Sequence, residues 1–386
     1  MRLQILLAAG LATLVSACNA AGTTQSMPPA NVGPGGMGFT NGVVPAVDTT
    51  SVLKTLTKQE VIGSTVDPAN GDQNPHGLLY VPSKPLGGGP LVKGDLVVCN
   101  YSDSANVQGN GTTIEYLPGK TGSSPKRLVQ DAKLKGCSSL ISNASSGYLG
   151  LIYSMDSGTK TVGNVSPKGK LSKTIANKAM VEPWNSAYMS GGYGYPPGDG
   201  ILISDPSSGK LLRMDLGTMK PQPPVTAVIS GFATNKGKPG SILGPSGVLY
   251  NQKTDTMFVV DGMNNTVYSF AKVYGDFDQP NAVVIGANGK SFTGPRAKEA
   301  KVLYSGTQLK SPITATLLPN GNLVIGNTGN NSLVEIATNG KVLATKSVVK
   351  GAKGAIFGLA ASGSGDSNTQ IYFNDDNANN VQLLTK

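Results

Sequence analysis

Histidine is almost missing: His76 stands alone in 386 residues. That excludes a multi-histidine metal centre, and no H-E-x-x-H occurs. A Ser-His-Asp triad would have to use His76, and the chain has no G-x-S-x-G elbow to present its serine. The three cysteines, Cys18, Cys99 and Cys137, form no C-x-x-C pair, which removes thioredoxin-type redox chemistry and c-type haem attachment. Charged residues make up only 14%, and no dense Lys/Arg run is interleaved with aromatics, so nucleic acid is not an expected partner. Long amphipathic helical periodicity is absent as well. In their place stand 51 Gly and 25 Pro, the composition of an all-β chain with many turns, long enough for one closed ring with a substantial core.

What is present is a recurring unit, clearest from Gly244 to Ala271. Pro245-Ser-Gly247 leads into Val248-Leu-Tyr250. A polar turn leads into Met257 to Val260, and Asp261-Gly-Met-Asn264-Asn265 turns the chain into Thr266 to Phe270. Short β-rich runs between Asn, Asp and Gly clusters read as antiparallel strands joined by tight turns. The unit returns from Ser311, with the turn at Asn327-Thr-Gly-Asn330-Asn331. It returns again from Ile356, with Asp376 read as the turn acid three residues before Asn379. Looser copies begin at Asn74-Pro-His-Gly77 (turn at Asp103), around Tyr148 (turn at Asp156) and at Pro183-Trp-Asn185 (turn at Asp205). A spacing of about 50 residues, repeated about six times, lies in the range of propeller blades. Asp and Asn hold such turns with their own side chains and need no ligand to do so.

The pattern resembles NHL-repeat and related six-bladed β-propellers over residues 74–386. It implies six four-stranded blades, with function left to whatever site the fold carries. The last copy ends at Lys386 after its third strand. A ring needs a fourth strand there to remove its exposed edges, and part of the weakly alternating Ser51–Ile62 is expected to supply it. Arg127–Val129 reads as the outer strand of the first blade and Val283–Ile285 as a further outer strand. Gly191–Gly198 reads as an inserted loop, and Ala297–Leu303 as a short helical turn in a long basic connection.

The N-terminus reads as an address. Residues 1–17 have the Arg2, apolar Ile5–Val15 and small-residue pattern of a secretion signal. Val15-Ser-Ala-Cys18 resembles the bacterial lipobox, which implies lipidation of Cys18 and anchoring to a membrane of the cell envelope. Asn19 after that cysteine favours the outer membrane. Residues 18–50, rich in Gly, Pro, Ala, Ser and Thr at the start, read as a tether, and residues 51–386 as the propeller domain. Without Arg2, 31 basic residues face 22 acidic ones, so anionic lipid, glycan or cell-wall polymer joins protein among the expected partners. In an exported chain Cys99 and Cys137 are free to pair, although Cys137 lies beyond the outer strand of the first blade, which argues against the required separation.

In a propeller the loops leading into the inner strands share one face with the turns between second and third strands. That gathers Asn74, His76, Asp103, Trp184, Asn185, Asp205, Asp261, Asn327 and Asp376 as a candidate ligand-binding rim. His76 reads either as a rim ligand or as a loop imidazole bonded to backbone. Trp184 is the candidate stacking residue. The resemblance extends to gluconolactonase-like propellers, which hold a divalent metal with Glu, Asn and Asp. Oxygen donors of this kind suit calcium better than zinc, but Glu182 is the only Glu near a leading loop. The preferred reading is a binding scaffold with no cofactor. The alternative is a calcium-dependent lactonase or lyase at the channel mouth.

Overall fold

The computed structural model describes residues 46–145, 148–191, 198–217, 222–236 and 242–386. The signal segment 1–17, Cys18 and the tether up to residue 45 lie outside these, as does nearly all of the Gly191–Gly198 loop.

Six sheets, antiparallel but for one added strand in the third, form the six blades of a β-propeller. Their inner strands are Gln73–Tyr80, Cys137–Ser145, Ser186–Met189, Pro245–Asn251, Pro312–Leu317 and Ile356–Ser362. Each blade then proceeds outwards as a meander, ending in the first blade at Lys126–Gln130 and in the fifth at Val342–Ser347. Central strands such as Leu96–Ser102 and Leu323–Asn327 are buried along their whole length. They lie between neighbouring strands and neighbouring blades, so both faces carry apolar side chains. The core is a chain of clusters between blades: Val98 and Leu117 of the first blade, for example, pack with Ala360 and Tyr372 of the sixth.

Closure follows the expectation. Lys58–Ser64 pairs antiparallel with Asn380–Thr385, from Lys58 opposite Thr385 to Ser64 opposite Asn380. The segment before it is locked from beneath. The buried Glu335 carboxylate of the fifth blade accepts from the Ser51 hydroxyl and from the N–H groups of Val52 and Leu53 (2.9 Å). Val52, Leu53 and Leu56 enter the same cluster as Leu333, Phe373 and Leu384. Beyond Ser64 a second lock follows. The Arg127 guanidinium donates to both carboxylate oxygens of Asp67, through Nε at 2.7 Å and through Nη2. Burial opposes the charge on Asp67, but Arg127 leads the hydrogen bonds that outweigh it and hold this carboxyl below its usual range. The neighbouring Glu115 is raised to about 9 by burial and by Asp67. One carboxylate and one carboxyl thus share a site under one guanidinium.

Val283–Ile285 is an outer strand as expected, added to the third blade, where it runs parallel to Val225–Ser230 and carries Phe292–Thr293 outside it. One expectation needs correction. Ala297–Leu303 splits into a single helical turn, Ala297–Glu299, and the strand Ala300–Ser305, which is the true outer strand of the fourth blade. The insertion is fastened by Arg296 to Asp276 at 3.0 Å and Lys272 to Glu299 at 3.6 Å.

Two changes test the closure. Leu53→Ala is expected to cost roughly 2–5 kcal/mol in urea unfolding. Deleting residues 46–64 is expected to abolish the cooperative transition, because it bares the edge of Asn380–Thr385. A deleted chain that still unfolds in one sharp transition would sink the argument.

Candidate functional site at the channel mouth

Five of the six inner strands start with an irregularity; Ser186–Met189 pairs without one. Pairing slips between Pro75 and Gly77, Cys137 and Ser139, Pro245 and Gly247, Pro312 and Thr314, and Ile356 and Leu359. A bulge leaves one residue out of the ladder and re-aims its side chain. The P-x-G sequence is therefore a bulge signal, and its middle residue faces a neighbouring blade or the axis. Ser138 donates to the carbonyl of Trp184 (2.7 Å), and Ser246 donates to that of Pro312 (3.0 Å), so these two tie blade to blade. His76, Ile313 and Phe357 occupy the same position in other blades and meet Trp184 and Tyr101 in one buried cluster. Gly77 is required at the first bulge, because a Cβ there would stand 2.7 Å from Cys99 Sγ. Cys99 and Cys137 are joined by a disulfide, with Cα atoms 5.9 Å apart, since Cys137 opens the inner strand of the next blade beside Cys99.

His76 is the centre of this plug. Its ring lies parallel between Tyr101 (centroids 4.1 Å apart) and Phe357 (3.9 Å), with the Trp184 edge at 5.6 Å. It is 1% exposed, and neither ring nitrogen has a hydrogen-bond partner. The backbone-bonded imidazole expected from its loop position is therefore not what the fold builds. Nε2 faces Asp376 Oδ1 at 3.8 Å, and that oxygen is also unpartnered. Burial pulls the imidazole down to about 3 and pushes Asp376 up to about 8, the nearby Asp375 adding to the latter. At neutral pH both groups are held uncharged, which a low-dielectric plug demands. Trp184, at 2% exposure, is part of this plug and not an exposed platform.

The remaining rim candidates do not converge. Asp261 accepts from the N–H groups of Met263 and Asn264, and Asp103 from those of Ala105 and Val107. Asp205 holds the N–H groups of Val181 and Glu182. Asn327 is spent on Lys310 and Gln308. Asn185 accepts from the Val248 N–H and lines the channel below the plug with His76. Asn74 bonds Asn106 (2.8 Å). Glu182, raised to about 7 by burial, accepts from Ser207. Among the described residues no three His, Cys, Asp or Glu side chains are grouped to hold a metal ion.

The second Asn of the turn motif has a distinct task. Asn265, Asn331 and Asn379 share φ = +50°, a region Asn tolerates. Each accepts a backbone N–H of the following blade's leading loop: Ser311 (2.8 Å), Ala355 (3.0 Å) and Asn74 (2.7 Å). Alignment on these residues corrects the last repeat by one position. Asp375, opposite Asn380 and accepting from Ala378, is the turn acid. Asp376 is the extra residue, and so it is left facing His76.

Electrostatics separate surface from interior. Ten of the 22 acidic side chains are buried, but among the described residues Arg213 is the single buried Lys or Arg. Arg2, Lys220 and Lys238 lie outside the described residues, so 28 unburied basic side chains face 12 unburied acidic ones, a balance of +16. On the mouth face, the leading loops and second-to-third-strand turns expose Lys133, Lys160, Lys178, Lys210, Lys236, Lys310, Lys350 and Lys353. Their acids are buried or, as with Asp103, Asp131 and Asp376, partly so. Sequence reasoning missed Tyr101, Ile313 and Phe357; aligning Pro312-Ile-Thr314 and Ile356-Phe-Gly358 on Pro75-His-Gly77 and Pro245-Ser-Gly247 would have found the last two.

The chain matches no family profile and no curated protein. Among solved structures it is similar to virginiamycin B lyase from Staphylococcus aureus, with a TM-score of 0.47 and 15% identity over 85% of this chain and 99% of that one. It is similar to a streptogramin B lyase, with a TM-score of 0.48 and 13% identity over 85% and 97%. A chain of a nidogen–laminin complex gives 0.47 and 14% over 71% and 80%. None of them lends this chain a residue role.

The plug sets a pH dependence. The stability supplied by neutral His76 is whole above 6.5 and is lost as pH falls towards 3. That supplied by protonated Asp376 is whole below 3.8 and is lost as pH rises towards 8. In thermal melts His76→Phe should therefore gain on the parent at pH 4.5, by roughly 2 kcal/mol, and gain least at pH 8.5. Asp376→Asn should gain on the alkaline side. Parallel melting curves for parent and variants across this range would refute the assignment.

Proposed function

We propose that this protein is an exported, lipid-anchored propeller that serves as a binding scaffold for an anionic glycan or cell-wall polymer. The observation that carries the reading is the mouth face: eight exposed lysines around a buried aromatic plug, without one fully exposed acid in its loops and turns. A surface of one sign attracts a polyanion over several ångströms and needs no deep pocket. The Asp and Asn side chains that would serve a calcium-dependent hydrolase are bonded into turns and blade junctions. A lipidated Cys18 in an envelope membrane supplies the setting, the outer membrane being favoured, and the Cys99–Cys137 disulfide suits an oxidising compartment.

The lysines make the reading testable in the chain starting at residue 19, which keeps every described contact. It should bind a uronate- or phosphate-bearing polysaccharide with an affinity that falls steeply with salt. Lys310→Glu combined with Lys350→Glu and Lys353→Glu should weaken binding about tenfold, since like charge now opposes the polymer. Calcium and EDTA should leave the melting temperature unchanged. A saturable, EDTA-reversible calcium shift would instead favour the hydrolase reading. In cells, Cys18→Ala should abolish fatty-acid incorporation and release the protein from membranes.

A further inference from the structure

The face opposite the mouth carries a feature that polymer binding does not use. The loop Val81–Asp95, between the first two strands of the first blade, leaves Leu86 at 63% and Val92 at 59% exposure. Beside it, at the start of the second strand of the second blade, Tyr148 is 47% exposed. Leu86 and Val92 are the two most exposed large apolar side chains among the described residues, and the pairing of Leu86 with Leu149 sets Tyr148 beside the loop.

The loop is firmly seated. The Leu86 N–H donates to the Leu149 carbonyl at 2.7 Å, and the Leu149 N–H donates to the Lys84 carbonyl at 2.9 Å. Leu91 and Leu149 are buried and fix the loop to the core. Asp95 is buried too, and its carboxylate accepts from the Val92 N–H at 2.8 Å. Beyond Leu86 the chain stands clear, for a Cβ on Gly87 or Gly88 would meet nothing within 4 Å. The apolar tip is therefore held out into solvent by bonded backbone on both sides.

Lysines surround the tip. Lys84 and Lys93 belong to the loop itself. Lys168 and Lys170 lie in the adjoining turn of the second blade, where Gly89 packs on Pro167. All four are exposed, and neither segment exposes an acid. Apolar and tyrosyl side chains ringed by lysine match the interface of an anionic bilayer, where the rings and aliphatic tips enter and the ammonium groups meet phosphate.

Chain direction adds a second, independent observation. Lys58 pairs with Thr385 at the end of the third strand of the last blade, so the chain preceding residue 58 arrives on this same face. A tether of the proposed kind would hold this face, and not the mouth, towards its membrane. We infer that the Leu86–Val92–Tyr148 tip is a membrane-docking surface for anionic lipid, which lays the tether face on the bilayer and turns the lysine-ringed mouth outwards. The choice of bilayer and the tether's pull on this face rest on the Cys18 reading; the lysine-ringed apolar tip does not.

The unlipidated chain starting at residue 19 separates the two. It is expected to sediment with vesicles containing phosphatidylglycerol and not with phosphatidylcholine vesicles. Leu86→Ser with Tyr148→Ser should reduce the bound fraction about tenfold, and Lys84→Glu with Lys168→Glu should remove the preference for anionic lipid. Val181→Ser with Met263→Ser, which trims two side chains exposed at 42% on the mouth face, should change nothing. A fluorophore on Leu86→Cys should shift to the blue when vesicles are added. Failure of the parent chain to bind, or equal loss in the mouth-face variant, would overturn the proposal. Either result would leave lipidation of Cys18 to its own test.

Discussion

The pairing of Lys58–Ser64 with Asn380–Thr385 is the constraint on which the ring depends. The first, second and fifth blades are meanders of consecutive strands and can form from local sequence, and the third and fourth depart from this only by the insertion between Ala271 and Ala300. The sixth requires the two ends of the domain to meet across more than 300 residues. Without that meeting the third strand of the last blade would be a bare edge, and the packing between sixth and first blades, Leu78 and Val98 on Ala360 and Tyr372, would have nothing to hold it in register. The fold secures the strand on both sides, with Glu335 gripping the chain before it and Arg127 gripping Asp67 after it. In each grip a buried carboxyl group, Glu335 or Asp67, is held by hydrogen bonds, in the second from a partly exposed Arg127. Such groups specify one geometry more strictly than apolar contact does, because a slipped register would leave them unpaired.

Within the ring, two short motifs divide the work. The bulge that opens five of the six inner strands aims one side chain each, and the chemistry of that side chain decides its role. Serine reaches the next blade's carbonyl, whereas His76, Ile313 and Phe357 fill the mouth. The turn motif uses its first Asp or Asn to close the turn and its last Asn to cap the next blade's leading loop. Polar residues that look like a ring of ligands in one dimension are thereby consumed in three. A buried polar atom must find a partner, and backbone N–H groups at irregular junctions are the nearest available.

This explains what could be read from the sequence and what could not. The blades, their order and the closing strand followed from period-2 runs and turn residues, which are local signals. The outer strand of the fourth blade was hidden within the expected helical turn because 28 residues separate Ala271 from Ala300, and the inserted Val283–Ile285 has equal strand character. Nothing local says which sheet edge it joins. The site failed differently. Asp376 was aligned one residue out, and only the left-handed Asn379 fixes the register. The tightness of the plug depends on Tyr101, a second-strand residue that no repeat position marks, meeting His76 across the blade.

The charge distribution follows from the same economy of turns. A propeller built on Asp-rich turns draws acids into its interior, where Asp205 and Asp261 satisfy backbone donors that water cannot reach. Lysine has no such use: it carries donors only, and the loops it occupies already have donors in excess. Lysines therefore stay outside, and a chain of moderate net charge presents a strongly basic surface. On one face that surface surrounds an aromatic plug, and on the other it surrounds an apolar tip. The same burial of turn acids thus supplies the basic ground for both contacts, and the two differ only in what stands at the centre.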